Sequence, residues 1–253
     1  MIVRHICLLR SIGEWYIYKY KIKIMKNIIT FLCFLMSSTF LAAQSEVMEL
    51  TDFDVLDAST GVKVTLYQGE SRAEIKMIKG EREDLVIENK NGKLKIQFKS
   101  KKWGMSSNNR KAEIKLYTNE LRGVEVSAGA RVIGHDAYEN DKFNVEVSSG
   151  GSLDMEITSD KLSVEVSSGG SAKLEGKTDM LKAEVSSGGS LSGAKMQADE
   201  VTAESSSGGS AKVWALSSLK AEASSGGSIK YKGNPKHKDL ESSKYSGGSI
   251  RQL

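Results

Sequence analysis

The chain has 253 residues, with 36 Lys and Arg against 32 Asp and Glu, a formal net charge of +4. The first 43 residues hold six of those basic residues and one acid, which leaves 30 against 31, a net charge of −1, for the remainder. That balance removes the electrostatic basis for a nucleic-acid partner, and because Cys7 and Cys33 both fall in the leader, disulfide and thiol chemistry are excluded beyond it.

Residues 25–43 carry the three parts of a secretory signal peptide. Met25-Lys26-Asn27 is a basic start, residues 28–40 are apolar, and Leu41-Ala42-Ala43 is a small-residue cleavage pattern. The apolar stretch is too short for a spanning helix, and no other segment is long enough, so no integral membrane span is expected once the leader is removed near Gln44. Residues 1–24, with Trp15, Tyr16, Tyr18 and Tyr20, precede a complete signal and read as an upstream extension, with Met25 the expected initiator. Cys33 sits inside the apolar run and not at the cleavage point, which favours a non-lipidated protein. Export is therefore expected, to the periplasm, the outer surface or the medium.

Residues 44–122 form a β-rich first part. Phe53-Asp54-Val55-Leu56-Asp57, Val62-Lys63-Val64-Thr65-Leu66, Ala73-Glu74-Ile75-Lys76-Met77, Leu94-Lys95-Ile96-Gln97-Phe98 and Ala112-Glu113-Ile114-Lys115-Leu116 all alternate apolar and polar. That period of two is the mark of a half-buried strand. Asn91-Gly92, between two such runs, is a hairpin turn signal. The stretch 100–111, with Lys101, Lys102, Trp103 and Arg110, reads as a mobile basic loop.

Residues 123–253 are built on a repeat. Ser-Ser-Gly-Gly-Ser occurs at 148–152, 167–171, 186–190, 206–210 and 224–228, with weaker copies at 127–131 and 245–249. From Gly129 the first glycines step by 21, 19, 19, 20, 18 and 21 residues to Gly247. Each copy follows a short alternating run such as Val145-Glu146-Val147 or Val164-Glu165-Val166, and a second alternating run follows it, as in Leu153-Asp154-Met155-Glu156-Ile157. Polar turns, Thr158-Ser159-Asp160-Lys161 and Lys177-Thr178-Asp179, lead back to the next copy. A flexible Ser/Gly linker is the competing reading, but a linker does not hold flanking strands in phase over five copies. A period near 20 predicts a solenoid. The fold expected is an all-β, right-handed parallel β-helix with rungs of about 20 residues, each being strand, glycine corner, strand and polar turn. About seven rungs at the inter-strand spacing would stand about 30 Å tall. The paired glycines suit a corner that needs positive φ or close backbone approach, and the serines beside them could bond neighbouring rungs. The inward residues shrink from Phe143, Val145 and Val147 to Leu219, Ala221 and Ala223, so the column is expected to narrow or loosen toward its C-terminal end.

These features together resemble the bacterial head GIN domain family of auto-transporter adhesins. The residues that carry the resemblance are Phe53-Asp54-Val55, Gly61-Val62-Lys63-Val64 with Gln68-Gly69, Leu94-Lys95-Ile96 after Asn91-Gly92, and Val124-Glu125-Val126-Ser127-Ala128-Gly129. The Gly/Ser repeats follow, and Tyr231-Lys232-Gly233-Asn234-Pro235 with Ser246-Gly247-Gly248-Ser249 ends the series. The resemblance implies an exported β-helical, adhesin-like module.

Glu125, Glu146, Glu165, Glu184, Glu204 and Glu222 share one repeat position, which stacking would turn into a carboxylate ladder. A calcium stripe needs converging oxygens, which one column does not supply, so the ladder reads as a solvated face paired with Lys182 and Lys220, and no metal or cofactor is expected. Trp214, pointed outward by its neighbours, and Trp103 could stack on sugars; each could equally cap the fold or meet a partner subunit. Catalysis is not expected, because the acids are spread one per rung, His135 and His237 stand far apart, and no Gly-x-Ser-x-Gly elbow is present. The function expected is an exported, non-catalytic envelope or surface module contacting glycans or surface proteins, or associating with itself through the solenoid end. A polysaccharide-processing β-helix enzyme is the alternative.

Overall fold

A computed structural model describes residues 45–99 and 110–253; the signal peptide, the upstream extension and Trp103 lie outside the described residues. The first part contributes strands β1 (Glu46–Glu49), β2 (Val55–Ala58), β3 (Lys63–Tyr67), β4 (Arg72–Lys79), β5 (Leu85–Lys90), β6 (Lys93–Phe98) and β7 (Lys111–Tyr117). The repeat region adds β8 (Gly123–Val126), β9 (Arg131–Gly134), β10 (Tyr138–Glu139), β11 (Lys142–Val147), β12 (Ser152–Val166), β13 (Ser171–Val185), β14 (Ser190–Ser205), β15 (Ser210–Ala223), β16 (Ser228–Lys232), β17 (His237–Ser242) and β18 (Ser249–Gln252). They form the expected β-solenoid, of about seven turns.

Two ladders of parallel strands run up the column. On one face, β6, β2, β8 and β11 are followed by the second halves of β12, β13, β14 and β15 and then by β17. On the other, β7, β3 and β9 are followed by the first halves of β12 to β15 and then by β16 and β18. The glycine corner joins the faces in each rung.

That corner is a four-residue turn with two consecutive positive φ values. Ser168 and Gly169 stand at φ 50° and 72°, and the N–H of Gly170 donates to the Ser167 carbonyl at 2.8 Å. This is a type I′ turn, whose twist suits strands on either side of a sharp reversal. The two glycines serve different ends. At Gly169 a Cβ would meet nothing within 4 Å, so only its backbone angle asks for glycine. At Gly170 a Cβ would lie 2.5 Å from the Val147 carbonyl oxygen of the preceding rung, so proximity asks for it. Main-chain bonds also carry the stacking of the corners. Gly150 N–H donates to Ser168 O at 3.2 Å, Gly169 to Ser187 at 3.1 Å and Gly188 to Ser207 at 3.1 Å. Few corner hydroxyls take part, contrary to the role the sequence suggested, because two successive left-handed residues already aim main-chain groups along the column.

The polar turns expected at the far side are not breaks. Strand pairing continues through Thr158 and Lys161 within β12, and through Lys177 and Thr178 within β13. The chain bends there while remaining extended, and alternation slips by one residue, since Asp160 and Lys161 are both exposed. Inside the bend, Ser159 and Thr178 are buried and bonded Oγ to Oγ1 at 3.3 Å, with Thr178 also donating toward the Asp160 and Met180 carbonyls. Buried hydroxyls need such partners. Rungs that depart from 19 residues absorb the difference at bulges, between Lys173 and Glu175 in one pair and between Ser192 and Gln197 in the next, so the glycine corners stay stacked.

The interior is filled by in-register columns. Leu153, Ala172, Leu191, Ala211 and Ile229 alternate large and small on one side. Opposite them Val145, Val164, Ala183, Ala203 and Ala221 shrink steadily, as does the neighbouring set Val147, Val166, Val185, Ser205 and Ala223. Ser205, polar in an apolar place, donates to the Gly209 carbonyl at 2.9 Å. The first part departs from the repeat by antiparallel pairing. β5 folds back on β6 and β4 on β7, with β1 on β4. Arg110, part of the stretch expected as a mobile basic loop, has a nearly buried side chain, its guanidinium 5.1 Å over the Phe98 ring and bonded to the Lys99 carbonyl at 2.7 Å.

Candidate functional site

Stacking turns the outward repeat positions into columns, some of them of one chemical type, and these columns are what the protein displays. The first is acidic. Glu125, Glu146, Glu165, Glu184, Glu204 and Glu222 are direct register partners, as the sequence suggested, and the structure extends the series at both ends. Asp57 pairs with Glu125 and Glu241 with Glu222, so eight carboxylates stand in one line. Neighbours in parallel strands are separated by about 4.8 Å, and like charges directly opposite are unfavourable.

Three lysines relieve part of that repulsion. Lys93 Nζ reaches both Glu125 oxygens at 2.7 and 2.6 Å, Lys182 reaches Glu184 at 2.7 Å, and Lys220 reaches Glu222 at 3.0 Å. Lys182 and Lys220 are the pairs expected from sequence; Lys93, on a different strand, could not be read from local spacing. Elsewhere the strain shows in protonation. Burial, with Glu125 and Glu165 on either side, raises the pKa of Glu146 against a smaller pull from Lys93. Burial likewise raises Asp57, partly offset by Lys93. From Glu165 to Glu241 the column borders a shallow groove of about 650 Å³ whose other wall is the serine row Ser186, Ser206, Ser224 and Ser243. Among the described residues no group of three or more His, Cys, Asp or Glu side chains converges as a metal site would require.

The sequence reading missed two further features. Ser59-Thr60-Gly61-Val62 is a glycine corner too, with Thr60 and Gly61 at φ 59° and 75°, joining β2 to β3 as an additional rung. The signal was present in Leu56-Asp57-Ala58 ahead of it, but β4 to β7 separate this corner from the next and hide the period. At the far bend, Asp141, Asp160, Asp179 and Asp199 recur at 19, 19 and 20 residues, all of them exposed.

Trp214 lies outward and half-buried between the buried Val213 and Ala215. Its register partners are Gln197 and Lys232, and the Lys232 ammonium sits 3.5 Å from the ring centroid. A cation this close to an aromatic face is a cation–π contact, so one ring face is already engaged. His135 is drawn to Asp136 at 2.9 Å and its ring lies tilted against Tyr67, far along the chain from His237. Tyr138 is fully buried with no hydrogen-bond partner for its hydroxyl, and burial raises its pKa.

Comparison with known proteins adds to this geometry. A family described as "putative auto-transporter adhesin, head GIN domain" matches residues 52–235. No curated protein matches the chain. Solved structures do. A "putative adhesin" from Bacteroides fragilis is 22% identical with a TM-score of 0.72, over 83% of this chain and 96% of that one. A "putative adhesin" from Parabacteroides merdae is 18% identical with a TM-score of 0.62, over 83% and 95%. A "putative lipid binding protein" from Parabacteroides distasonis is 20% identical with a TM-score of 0.60, over 83% and 96%. At these identities the structures share a fold with this chain.

Proposed function

The chain belongs to the head GIN domain family, and we propose that it is an exported, non-catalytic, adhesin-like module of the cell envelope or surface. The observation that supports this most is the repetition of outward side chains. Carboxylates recur in register from Asp57 to Glu241 along one face, beside a groove that is shallow and open. Such a surface suits extended or repetitive partners, glycans and surface proteins among them, since avidity along a column multiplies weak contacts. Catalysis asks for the opposite arrangement, several different groups aimed at one point. Among the described residues no helix is long and apolar enough to cross a membrane, which accords with export past the membrane by the expected signal peptide.

The test is attachment. Cells with and without this protein are compared for adhesion to glycan-coated and protein-coated surfaces, and the purified protein is assayed for cleavage of polysaccharides. Reduced adhesion of the deletion strain, restored by the gene, is expected. Unchanged adhesion, or release of oligosaccharide by the purified protein, would overturn the reading.

A further inference from the structure

Charge is segregated along this solenoid. Acidic columns follow one face and the far bend, yet no Asp or Glu occurs between Glu204 and Glu222, between Glu222 and Asp239, or after Glu241. The first-half strands of the last three rungs lie in those acid-free stretches, and they carry cations in register. Lys212 pairs with Lys230, and Lys230 with Arg251. All three are exposed, and among the described residues none of them makes an ion pair. The next outward column sets Trp214 against Lys232, with the ammonium held 3.5 Å over the indole. On the other flank runs a row of serines, Ser210, Ser228 and Ser249, also in register.

We infer that the strip formed by Lys212, Lys230, Arg251 and Lys232 binds a linear acidic polysaccharide lying along the solenoid axis. This inference rests on the adhesin-like reading and names its ligand class. Three cations in line span about 10 Å at the inter-strand spacing, and an extended polyuronate or sulfated glycan carries anions at a comparable interval. Like charges this close in one column are unfavourable alone, so an anion chain laid across them relieves a repulsion already present in the folded protein. The serine hydroxyls can bond sugar hydroxyls, and the Trp214 ring fixes Lys232 instead of leaving it to roam. The acidic columns on the other face and at the bend repel the same polymer, which confines it to the strip.

Retention of the purified protein on immobilised polygalacturonate and heparin tests this, with dextran as the neutral control and polyphosphate and single-stranded DNA as competing polyanions. Binding to the acidic polysaccharides that is lost at high salt is expected. The double variant Lys212→Glu with Lys230→Glu should weaken it at least about tenfold, while Lys76→Gln on β4, outside both the strip and the acidic column, leaves it unchanged. Both variants must melt like the parent, and Lys230→Gln provides a milder version. No retention of the parent on either acidic glycan, equal retention of the double variant, or preference for polyphosphate or DNA would overturn the inference. Cell adhesion that survives the double variant would refute the strip and leave the adhesin-like reading intact.

Discussion

The paired glycines of each corner should respond very differently to the same substitution. In Gly169→Ala the new methyl meets nothing, and the cost is that of an L-residue at φ 72°. A left-handed alanine costs about 1–2 kcal/mol, and the reduced freedom of the unfolded chain returns about 0.4–1 kcal/mol, for a net loss near 1 kcal/mol. In Gly170→Ala the methyl falls 2.5 Å from the Val147 oxygen, 2.8 Å from its carbon and 3.0 Å from the Ser167 oxygen. All three are backbone atoms. The Val147 carbonyl is also the acceptor for the Ser167 N–H at 2.9 Å, so moving it aside loosens a rung-to-rung bond. Overpacking of about 1–3 kcal/mol and an orphaned buried group of about 1–3 kcal/mol put the loss at roughly 2–6 kcal/mol. For a domain of this size 1 kcal/mol moves Tm by about 2–4 °C, so thermal melts should show a drop of about 2–4 °C for Gly169→Ala and about 4–24 °C, centred above 8 °C, for Gly170→Ala. Repeating the pair at Gly150 and Gly151 guards against a local accident. Equal losses at both positions, or a larger loss at the first, would refute the separation of backbone angle from close approach.

Other expectations follow from single contacts. Glu146→Gln should stabilise the protein at pH 7 by about 0.2–1 kcal/mol, the scale of one unfavourable cross-strand pair. Because the folded-state pKa is raised, the penalty exists only above the ordinary carboxylate range, so the gain in Tm should vanish at about pH 3; a pH-independent gain would contradict it. Tyr138→Phe removes a buried hydroxyl without a partner and should be neutral or stabilising by about 1 kcal/mol, while a loss of more than that in a denaturant titration would show that the hydroxyl is satisfied. Ser168→Asn keeps φ 50° with a residue that tolerates it better, so Tm should rise slightly; a clear fall would assign the serine hydroxyl a role in the stack.

The repeat region could be read from sequence because each rung states the same local rules, alternation and a glycine corner, at a period the eye can follow. The acidic column was legible for the same reason, being one position in the repeat. What escaped depended on contacts between distant segments. Asp57 joins the column only through the pairing of β2 with β8, across two intervening hairpins. The Lys93 partnership with Glu125 likewise requires β6 to lie beside β2. The polar bends read as turns in the sequence because Ser, Thr and Asp usually terminate strands, whereas here Ser159 and Thr178 satisfy one another inside the column. Outward direction for Trp214 followed from alternation, but its engagement by Lys232 belongs to the next rung, 18 residues along.

The central claim is the adhesin-like role proposed above, which requires display on the cell surface, and protease treatment of intact cells tests that requirement most directly. With detection of this protein before and after shaving, and lysed cells as the control for susceptibility, loss of the protein from intact cells is the predicted result. Full protection on intact cells, with digestion only after lysis, would contradict it.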